Sequence, residues 1–399
     1  MKYALKTLLH YGKQTAVAVC CLLLTICSLA QHDTPVFVSG AEGYQSYRIP
    51  ALITLPNGSL LAFCEGRKHS AADFGDIDIV LKRSNDKGNT WSAPQVVVSY
   101  DSLQAGNPAP VVDLTDPAYP QGRIFLFYNT GNNHEGEIRK GNGLREVWYI
   151  SSSDGGQNWS PAVNITTQVH KPNQPNINPA YHYKEDWRSY ANTPGHAMQF
   201  EWGKYKGRIF ISANHSAGDP QNAFIDYKAH GYYTDDHGKT FHLSEEVPFA
   251  GGNEAMAAQL SGNQLMMNIR NQQGNIKKRI IAISSNGGNT WDSVYYDNKL
   301  PDPVCQGSIL SFRRKDGKTL LLVCNDADTS KRDNLTLRLS KDNGRSWYKN
   351  LVIAKSPDSY TGDSFSAYSD IARIDDSTIG ILFEKDNYKT IVFTTAKWK

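Results

Sequence analysis

A pattern of eight residues occurs five times in this chain and limits its possible folds more than any other feature. In each copy the first residue is Ser or Thr, the third Asp or Asn, the fifth Gly and the eighth Trp or Phe; the copies begin at Ser84, Ser152, Thr234, Ser284 and Ser340. The oxygen at the third position can accept backbone N–H groups two residues on, and the Gly allows a positive φ. We therefore predict five hairpin turns whose closing aromatic residues pack between neighbouring units. Their spacing of 50 to 82 residues indicates the blades of a propeller or a similar array.

The segments between these turns are short and apolar, as in β-strands. Twelve of them have strand length and none has a helical period of about 3.6 residues; they are 51–55, 60–64, 77–81, 124–128, 147–150, 209–212, 265–269, 280–283, 320–323, 335–339, 379–383 and 391–394. A blade of roughly 50 to 60 residues gives about six blades. We predict an all-β fold, a six-bladed β-propeller with four-stranded antiparallel blades, in which the last strand, 390–395, closes the ring. Two long polar insertions, 129–145 and 168–195, are expected to line the functional rim.

The first thirty residues are typical of a secretory signal peptide. Three lysines precede an apolar run that ends in a small-x-small sequence. We predict cleavage after Ala30, which leaves a single secreted or periplasmic domain, 31–399. A lipoprotein signal ending at Cys27 or Cys20 fits less well because a large residue precedes each cysteine. No later segment reaches the roughly 18 apolar residues of a membrane span.

Composition argues against several classes of function. Without the three lysines of the signal peptide, the chain has 39 basic and 39 acidic residues. This neutral balance gives no support for binding to nucleic acid or to an anionic membrane surface. Three cysteines remain, Cys64, Cys305 and Cys324, and their spacing fits neither a disulfide framework nor a metal site. Cys64 and Cys324 lie in apolar, strand-like runs, and we expect these two to be buried, inert thiols.

The tetrapeptide Tyr47-Arg48-Ile49-Pro50 resembles a motif of the sialidase family, where it precedes repeats of the kind described above. These repeats, called Asp-boxes, are structural in that family and lie away from the active site. The resemblance covers residues 36–399. It implies a catalytic β-propeller that acts on sialic acids.

The family places three arginines around the carboxylate of its substrate. By local sequence, Arg48, Arg270 and Arg332 match them, although Arg338 and Lys331 lie close to the third position and compete with it. The residue type suits the task because a planar guanidinium can hold a carboxylate through two hydrogen bonds and stays charged at any working pH.

The segment that follows the second predicted strand resembles the family's next active-site segment. Asp73 then corresponds to the acid/base aspartate, and Arg67 to an accessory arginine that faces the C4 side of the sugar. Asp76 and Asp78 are nearby alternatives, and both fit a structural role. An acid that works near neutral pH needs a raised pKa, so burial or bound substrate must raise that of Asp73.

Glu254 precedes Arg270 by 16 residues, which agrees with the family's spacing, and Tyr368 matches its tyrosine after the last Asp-box. The resemblance implies that Tyr368 is the nucleophile and Glu254 its base. A neutral nucleophile suits this substrate because a carboxylate nucleophile would approach a carbon that already bears a carboxylate. A phenol with a pKa near 10 needs a base to react at neutral pH. No metal and no cofactor are implied.

Other polar and aromatic residues carry weaker signals. We expect Gln199 to reach the glycerol or N-acetyl group of the sugar and His196 to be structural. Tyr181, Tyr183 and Trp187 could form a platform for the rest of the glycan, or could equally pack within their insertion.

These observations predict an exo-α-sialidase that removes terminal sialic acids from glycoproteins, glycolipids and oligosaccharides with retention of configuration. We expect it to act as a monomer. One alternative is a sialic-acid-binding lectin that keeps the arginines but lacks turnover. A second alternative is a trans-sialidase, which would transfer the sugar to another acceptor or form an intramolecular product.

Overall fold

A computed structural model of the chain describes residues 33–399, so the predicted signal peptide lies outside the described residues. The strands are β1 Thr34–Val38, β2 Ser46–Thr54, β3 Leu60–Arg67, β4 Ile77–Ser84, β5 Gln95–Val98, β6 Gln104–Asp113, β7 Arg123–Gly131, β8 Arg145–Ser152, β9 Val163–Asn164, β10 Trp187–Asn192, β11 Met198–Gln199, β12 Ile209–Ala217, β13 Tyr227–Thr234, β14 His242–Leu243, β15 Gly252–Gln259, β16 Leu265–Asn271, β17 Lys278–Ser284, β18 Ser293–Pro301, β19 Ser308–Arg313, β20 Thr319–Asp326, β21 Leu335–Ser340, β22 Lys349–Ala354, β23 Ser366–Arg373, β24 Thr378–Lys385 and β25 Thr390–Lys397. Three short helices complete this part of the chain: α1 Glu135–Arg139, α2 Thr166–Val169 and the 3-10 helix Asn222–Phe224. Within residues 33–399 no helix has the length and apolar character needed to cross a membrane.

The strands form six blades arranged around a central channel. Backbone hydrogen bonds connect them into five sheets, of which the largest has eight strands. That sheet consists of two blades, β2–β5 and β6–β9, joined by a single bridge between Ile77 and Gln104. The other blades are β10–β14, β15–β18, β19–β22, and β23–β25 completed by β1. The predicted all-β propeller of antiparallel blades is therefore confirmed.

The two ends of the described chain meet in the sixth blade. The N-terminal strand β1 pairs with the C-terminal strand β25, as expected for a ring closed by its last strand. In the other five blades the turn between the third and fourth strands is one of the repeated eight-residue motifs. The sixth blade has no such turn because its fourth strand comes from the other end of the chain. Six blades therefore carry five motifs.

Each motif is held by hydrogen bonds from its first and third residues. In the first copy, the Gly88 N–H donates to Ser84 Oγ at 2.8 Å and the Thr90 N–H donates to Asp86 Oδ1 at 2.9 Å. Equivalent bonds occur in the other four copies. The third residue therefore caps the turn, as its chemistry predicted.

The closing aromatic residue of a motif packs against the preceding blade. Trp91 of the first blade lies 5.5 Å, between ring centroids, from Phe393 of the sixth. Trp159 of the second blade lies 6.2 Å from Phe63 of the first. Because no hydrogen-bonded ladder runs between most blades, these aromatic contacts hold neighbouring blades together.

The innermost strands have irregular registers near their first residues. In four blades the irregularity falls on two residues between paired ones: Ile49-Pro50, Asn107-Pro108, Asn253-Glu254 and Ala367-Tyr368. A bulge bends the strand and turns a side chain out of the regular alternation. Each of the four bulges places at least one residue in the lining of the same pocket.

The long insertions differ in what they build. The first contains α1, which lies at the mouth of the channel. The second is mainly a packed segment, in which Trp187 stacks on His215 with ring centroids 3.6 Å apart, and Tyr181 is buried. Tyr183 donates a hydrogen bond from its hydroxyl to the Thr167 carbonyl at 3.1 Å. These contacts favour the packed alternative for the three aromatic residues.

Replacement of a motif aromatic residue by Ala tests the contact between blades. Phe241 packs against the rings of Phe127 and Tyr149, each 5.8 Å away between centroids. We expect Phe241→Ala to lower the free energy of unfolding by about 3–5 kcal/mol because it leaves a cavity between two blades. The exposed Tyr348 is the matched control, and its change to Ala should cost within about 0.5 kcal/mol. Urea unfolding with equal midpoints for both variants would contradict this role.

A buried histidine cluster beside the second insertion predicts acid sensitivity. His170, His215 and His230 are buried, and burial lowers the pKa of each well below the ordinary value of 6.5. The unfolded chain therefore binds more protons than the folded one below about pH 6.5, and stability falls as the pH is lowered through this range. Within residues 33–399, neither ring nitrogen of His170 has a hydrogen-bond partner.

We therefore expect His170→Phe to fold at pH 7.5 and to lose less stability at pH 5.5 than the wild type. Removing one such proton site lowers the pH dependence by at most about 1.4 kcal/mol per pH unit. The measurement is the urea midpoint at the two pH values. An unchanged pH dependence would mean that His170 is charged in the folded state.

Candidate active site

A cavity of about 430 Å³ opens at the end of the channel where the inner strands have their bulges. Its lining includes all but one of the predicted site residues, namely Arg48, Arg67, Asp73, Glu254, Arg270, Arg332 and Tyr368. The first insertion adds Glu135, Gly136 and Arg139 from α1, whereas the second adds only Ala191. Residues from distant parts of the sequence therefore converge in one polar pocket.

Tyr368, Glu254 and Arg270 form a closed hydrogen-bonded cluster at the bottom of this pocket. The Tyr368 hydroxyl donates to Glu254 Oε1 at 2.6 Å, and Arg270 Nη1 donates to Glu254 Oε2 at 2.6 Å and to Tyr368 Oη at 2.8 Å. Burial, and then the negative charge of Glu254, raise the pKa of Tyr368 well above its ordinary value, against the opposing effect of Arg270. The Tyr368 phenol is therefore protonated and donates a hydrogen bond to the Glu254 carboxylate.

Arg48 and Arg332 both lie near the ring of Tyr368. Their guanidinium carbons are 5.4 Å and 5.6 Å from the centroid of its ring. Arg48 Nε pairs with Glu384 Oε1 at 2.7 Å, and Arg332 Nη1 donates to the Tyr388 hydroxyl at 2.8 Å. Within residues 33–399 no carboxylate lies at ion-pair distance from Arg332, so its charge is available to an anionic ligand.

Asp73 lies at the mouth of the pocket with 76% of its side chain exposed. Arg67 Nη1 binds its Oδ1 at 2.8 Å, while the other side of the same guanidinium binds the buried Glu65 at 2.7 Å. Although the Asp73 side chain itself is largely exposed, the surrounding protein partly excludes water, which acts to raise the pKa of Asp73. The charges of Arg67, Arg48 and Arg145 and the hydrogen bond from Arg67 outweigh this effect and hold the pKa below its ordinary value. In the free protein Asp73 is therefore ionised, and the expected increase by burial is not present.

Two buried glutamates that the sequence analysis missed hold the bulged inner strands. Ile49 and Asn107 adopt φ values of 61° and 53°, which is an unfavourable conformation for a β-branched residue such as Ile49. The Ile49 N–H donates to Glu384 Oε1 at 2.9 Å, and the Asn107 N–H donates to Glu65 Oε1 at 2.9 Å. Each glutamate also binds an arginine of the pocket. The signal in the sequence was a glutamate that directly follows an apolar run, Glu65 after Cys64 and Glu384 after Phe383.

The structure contradicts the expectation for Gln199. This residue lines a different, more apolar cavity of about 370 Å³, formed by the later residues of the inner strands at the other end of the channel. Its amide is fully used, since Oε1 accepts from the Leu114 N–H at 2.8 Å and Nε2 donates to Asp113 at 2.7 Å. The prediction was wrong because proximity in sequence to a rim segment does not determine at which end of a strand a residue lies.

The residues that competed with the predicted ones have structural contacts. His196 is buried and pairs with Asp370 at 2.7 Å, as expected for a structural histidine. Asp78 is buried and accepts a hydrogen bond from the Tyr44 hydroxyl at 2.8 Å. Arg338 binds Asn325 within the fifth blade and does not line the pocket.

Comparison with known proteins shows to which family the chain belongs. The family described as a BNR repeat-like domain matches residues 58–381. The chain belongs to this BNR repeat-like family. Among curated relatives, a sialidase of Micromonospora viridifaciens is 30% identical over 366 residues, which cover 87% of this chain and 51% of that protein. A sialidase of Bacteroides fragilis is 28% identical, over 87% of this chain and 61% of that protein.

The fold of this BNR repeat-like protein is also found among solved structures. The Hadza microbial sialidase Hz136 superimposes with a TM-score of 0.76 and 27% identity, over 92% of this chain and 68% of that one. The chain spans between about half and three fifths of the two curated relatives named above. The likeness is therefore to one part of those longer proteins.

Removal of the charge on Glu384 tests how the pocket is held together. We expect Glu384→Gln to lower the free energy of unfolding by about 3–5 kcal/mol, because the nearly buried Arg48 would lose its counter-charge. The control is Glu185→Gln, which breaks a largely solvent-accessible ion pair with Lys171 and should cost less than about 1 kcal/mol. Equal melting temperatures for the two variants would argue against this role of Glu384.

Proposed function

We propose that this chain is an exo-α-sialidase that hydrolyses terminal α-linked sialic acids with retention of configuration. The observation that carries the proposal is the cluster in which Tyr368 donates to Glu254 while Arg270 contacts both. The two sialidases and the solved sialidase structure named above support it. The proposed substrates are sialylated glycans on glycoproteins, glycolipids and oligosaccharides.

The substrate carboxylate is proposed to bind between Arg48, Arg270 and Arg332. The first two already have carboxylate partners, at 2.7 Å and 2.6 Å, which orient them before substrate arrives. Arg332 has no carboxylate at ion-pair distance among residues 33–399, although the negative charge of Glu384 acts on it. A bound carboxylate would therefore compensate this charge and fix the sugar ring above Tyr368.

Tyr368 Oη is the proposed nucleophile. Its proton passes to Glu254 as the bond to the anomeric carbon forms, and the departing glycan oxygen takes a proton from Asp73. A neutral phenol can approach this carbon without repulsion from the substrate carboxylate, and Arg270 and Arg332 favour the developing phenolate. Water activated by Asp73 then attacks the anomeric carbon, and Tyr368 recovers its proton from Glu254.

The role of Asp73 requires a change in its pKa when substrate binds. In the free protein the positive charges of Arg67 and Arg48 keep Asp73 ionised. The substrate carboxylate compensates the charge of Arg48, and the sugar displaces water from the exposed face of Asp73. Both effects favour the protonated form, so we propose that substrate itself makes Asp73 an acid.

The alternatives differ from this proposal in measurable ways. A lectin needs the arginines but has no use for a nucleophile, base and acid in one pocket, and this chain has candidates for all three. A trans-sialidase would share the covalent step and differ in the acceptor.

We also propose secretion after cleavage at Ala30; N-terminal sequencing of exported protein should then begin at Gln31.

The first test is release of 4-methylumbelliferone from its α-sialoside by the purified chain. We expect Tyr368→Phe to lower kcat at least about 1000-fold, since only the nucleophilic oxygen is removed, while sialyllactose still binds. The exposed Tyr348→Phe is the matched control and should keep wild-type activity. Binding without turnover in the wild type would support the lectin.

The proposed acid is tested with two leaving groups. Asp73→Ala should lower kcat/KM for sialyllactose by about 100-fold or more. The loss should be much smaller for the 4-methylumbelliferyl substrate, because this leaving group departs readily without a proton. Equal losses on both substrates would show that Asp73 acts by binding rather than as an acid.

A further inference from the structure

A second tyrosine contacts two of the three arginines proposed to bind the substrate carboxylate. The guanidinium carbon of Arg48 lies 3.9 Å from the centroid of the Tyr388 ring, and Arg332 Nη1 donates to the Tyr388 hydroxyl at 2.8 Å. Arg48 is thus closer to this ring than to that of Tyr368, which is 5.4 Å away. A cation over the face of an aromatic ring is attracted by the electrons of that face. One side chain, from the turn between β24 and β25, therefore contacts both arginines.

Tyr388 lies beneath the pocket and not in its wall. It is half-buried and packs against the core cluster of Ile49, Cys305, Ala367 and Tyr368. Arg48 and Arg332 line the cavity, whereas Tyr388 does not. Any effect of Tyr388 on a bound ligand must therefore act through the two arginines.

The backbone of the turn that carries Tyr388 is strained. Asp386, Asn387 and Tyr388 have φ values of 52°, 49° and 64°, which are three consecutive left-handed residues. Asp and Asn adopt this conformation more readily than other residues, whereas it is unfavourable for a bulky residue such as Tyr. If residue 388 served only to form the turn, Gly or Asn would fit it better. The strain therefore points to a role for the tyrosine side chain.

Hydrogen bonds through one neighbouring segment connect the turn to Arg332. The Asn387 N–H donates to the Ser364 carbonyl at 2.7 Å, and the Phe365 N–H donates to the Arg332 carbonyl at 2.9 Å. Ser364 Oγ lies 3.2 Å from the Tyr388 hydroxyl. It can accept the hydroxyl proton while the hydroxyl oxygen accepts from Arg332. The backbone and Ser364 together fix the phenol relative to the guanidinium of Arg332.

We propose that Tyr388 is a positioning residue that orients Arg48 and Arg332 as one unit for the substrate carboxylate. The proposal rests on the proposed function. Glu384 holds Arg48 through its Nε at 2.7 Å, and the Tyr388 ring supports the face of the same guanidinium. A phenol can orient Arg332 without neutralising its charge. A protein carboxylate in the same place would pair with Arg332 and compete with the substrate.

The test separates the two contacts of Tyr388 by kinetics with the 4-methylumbelliferyl α-sialoside. Tyr388→Phe keeps the ring beside Arg48 and removes the hydroxyl that Arg332 binds. We expect KM to rise about tenfold and kcat to change less than about threefold, because the carboxylate is bound alike in the ground state and the transition state. Tyr388→Asn suits the left-handed backbone but removes both contacts, so it should raise KM further. An unchanged KM in both variants, or a loss confined to kcat, would overturn the proposal.

Tyr149→Phe is the matched control for the loss of a tyrosine hydroxyl. Tyr149 is also half-buried, and its hydroxyl donates to the Gly238 carbonyl at 3.1 Å, where neither residue lines the pocket. The control should keep the wild-type KM, and its melting temperature should be close to that of Tyr388→Phe. A much lower melting temperature for Tyr388→Phe would mean that Tyr388 supports the fold and not the arginines.

Binding of free N-acetylneuraminic acid, measured by calorimetry, separates this proposal from the proposed function. A wild type that binds this acid without turnover of the sialoside would contradict the proposed function alone. Tyr388→Phe should still bind the acid about tenfold more weakly than the wild type, since the same carboxylate is recognised. Equal affinities, or no binding by the wild type, would overturn the role of Tyr388.

Discussion

The buried carboxylate of Glu384 is the contact on which both the ring and the pocket depend. From the second strand of the sixth blade it accepts hydrogen bonds from Arg48 and from the Ile49 N–H of the first blade, and one from the Tyr368 N–H at 3.3 Å. It therefore joins the last blade to the first. It also keeps Ile49 in its unfavourable backbone conformation, which determines where Arg48 points.

The same arrangement occurs one blade further on. Glu65, from the second strand of the first blade, accepts the Asn107 N–H of the second blade and binds Arg67. In both places a buried glutamate accepts hydrogen bonds from a bulged inner strand of the next blade and from an arginine of the pocket. A bulge alone would leave an N–H without a partner, and an arginine alone would be a buried unpaired charge. The buried glutamate accepts a hydrogen bond from the N–H of the bulge and also neutralises the arginine, so the positively charged pocket is compatible with a stable fold.

The sequence predicts the fold well where side chains alternate or repeat. All twelve predicted strands exist, and every one overlaps a strand of the ring. The sequence does not indicate most of the innermost strands, such as Gly252–Gln259. Small and polar residues line the channel in these strands and interrupt the apolar pattern. Charged residues in the pocket were found through motifs, whereas Glu384 and Arg145 belong to no local pattern. Gln199 was misplaced because the order of residues does not reveal at which end of a strand each one lies.

The arginines of the pocket differ in how their charge is compensated. Those that pair with protein carboxylates are held in place by the fold, whereas one without such a partner can pair with an anionic ligand. Arg48, Arg67 and Arg270 each bind a protein carboxylate at 2.6–2.8 Å, so they are oriented in the free protein. Arg332 has no such partner at ion-pair distance in the described chain; the hydrogen bond of its Nη1 goes to the neutral Tyr388 hydroxyl. A bound anion would therefore lower the free energy of the pocket most at Arg332, because the charges of the other three arginines are already compensated there by the protein.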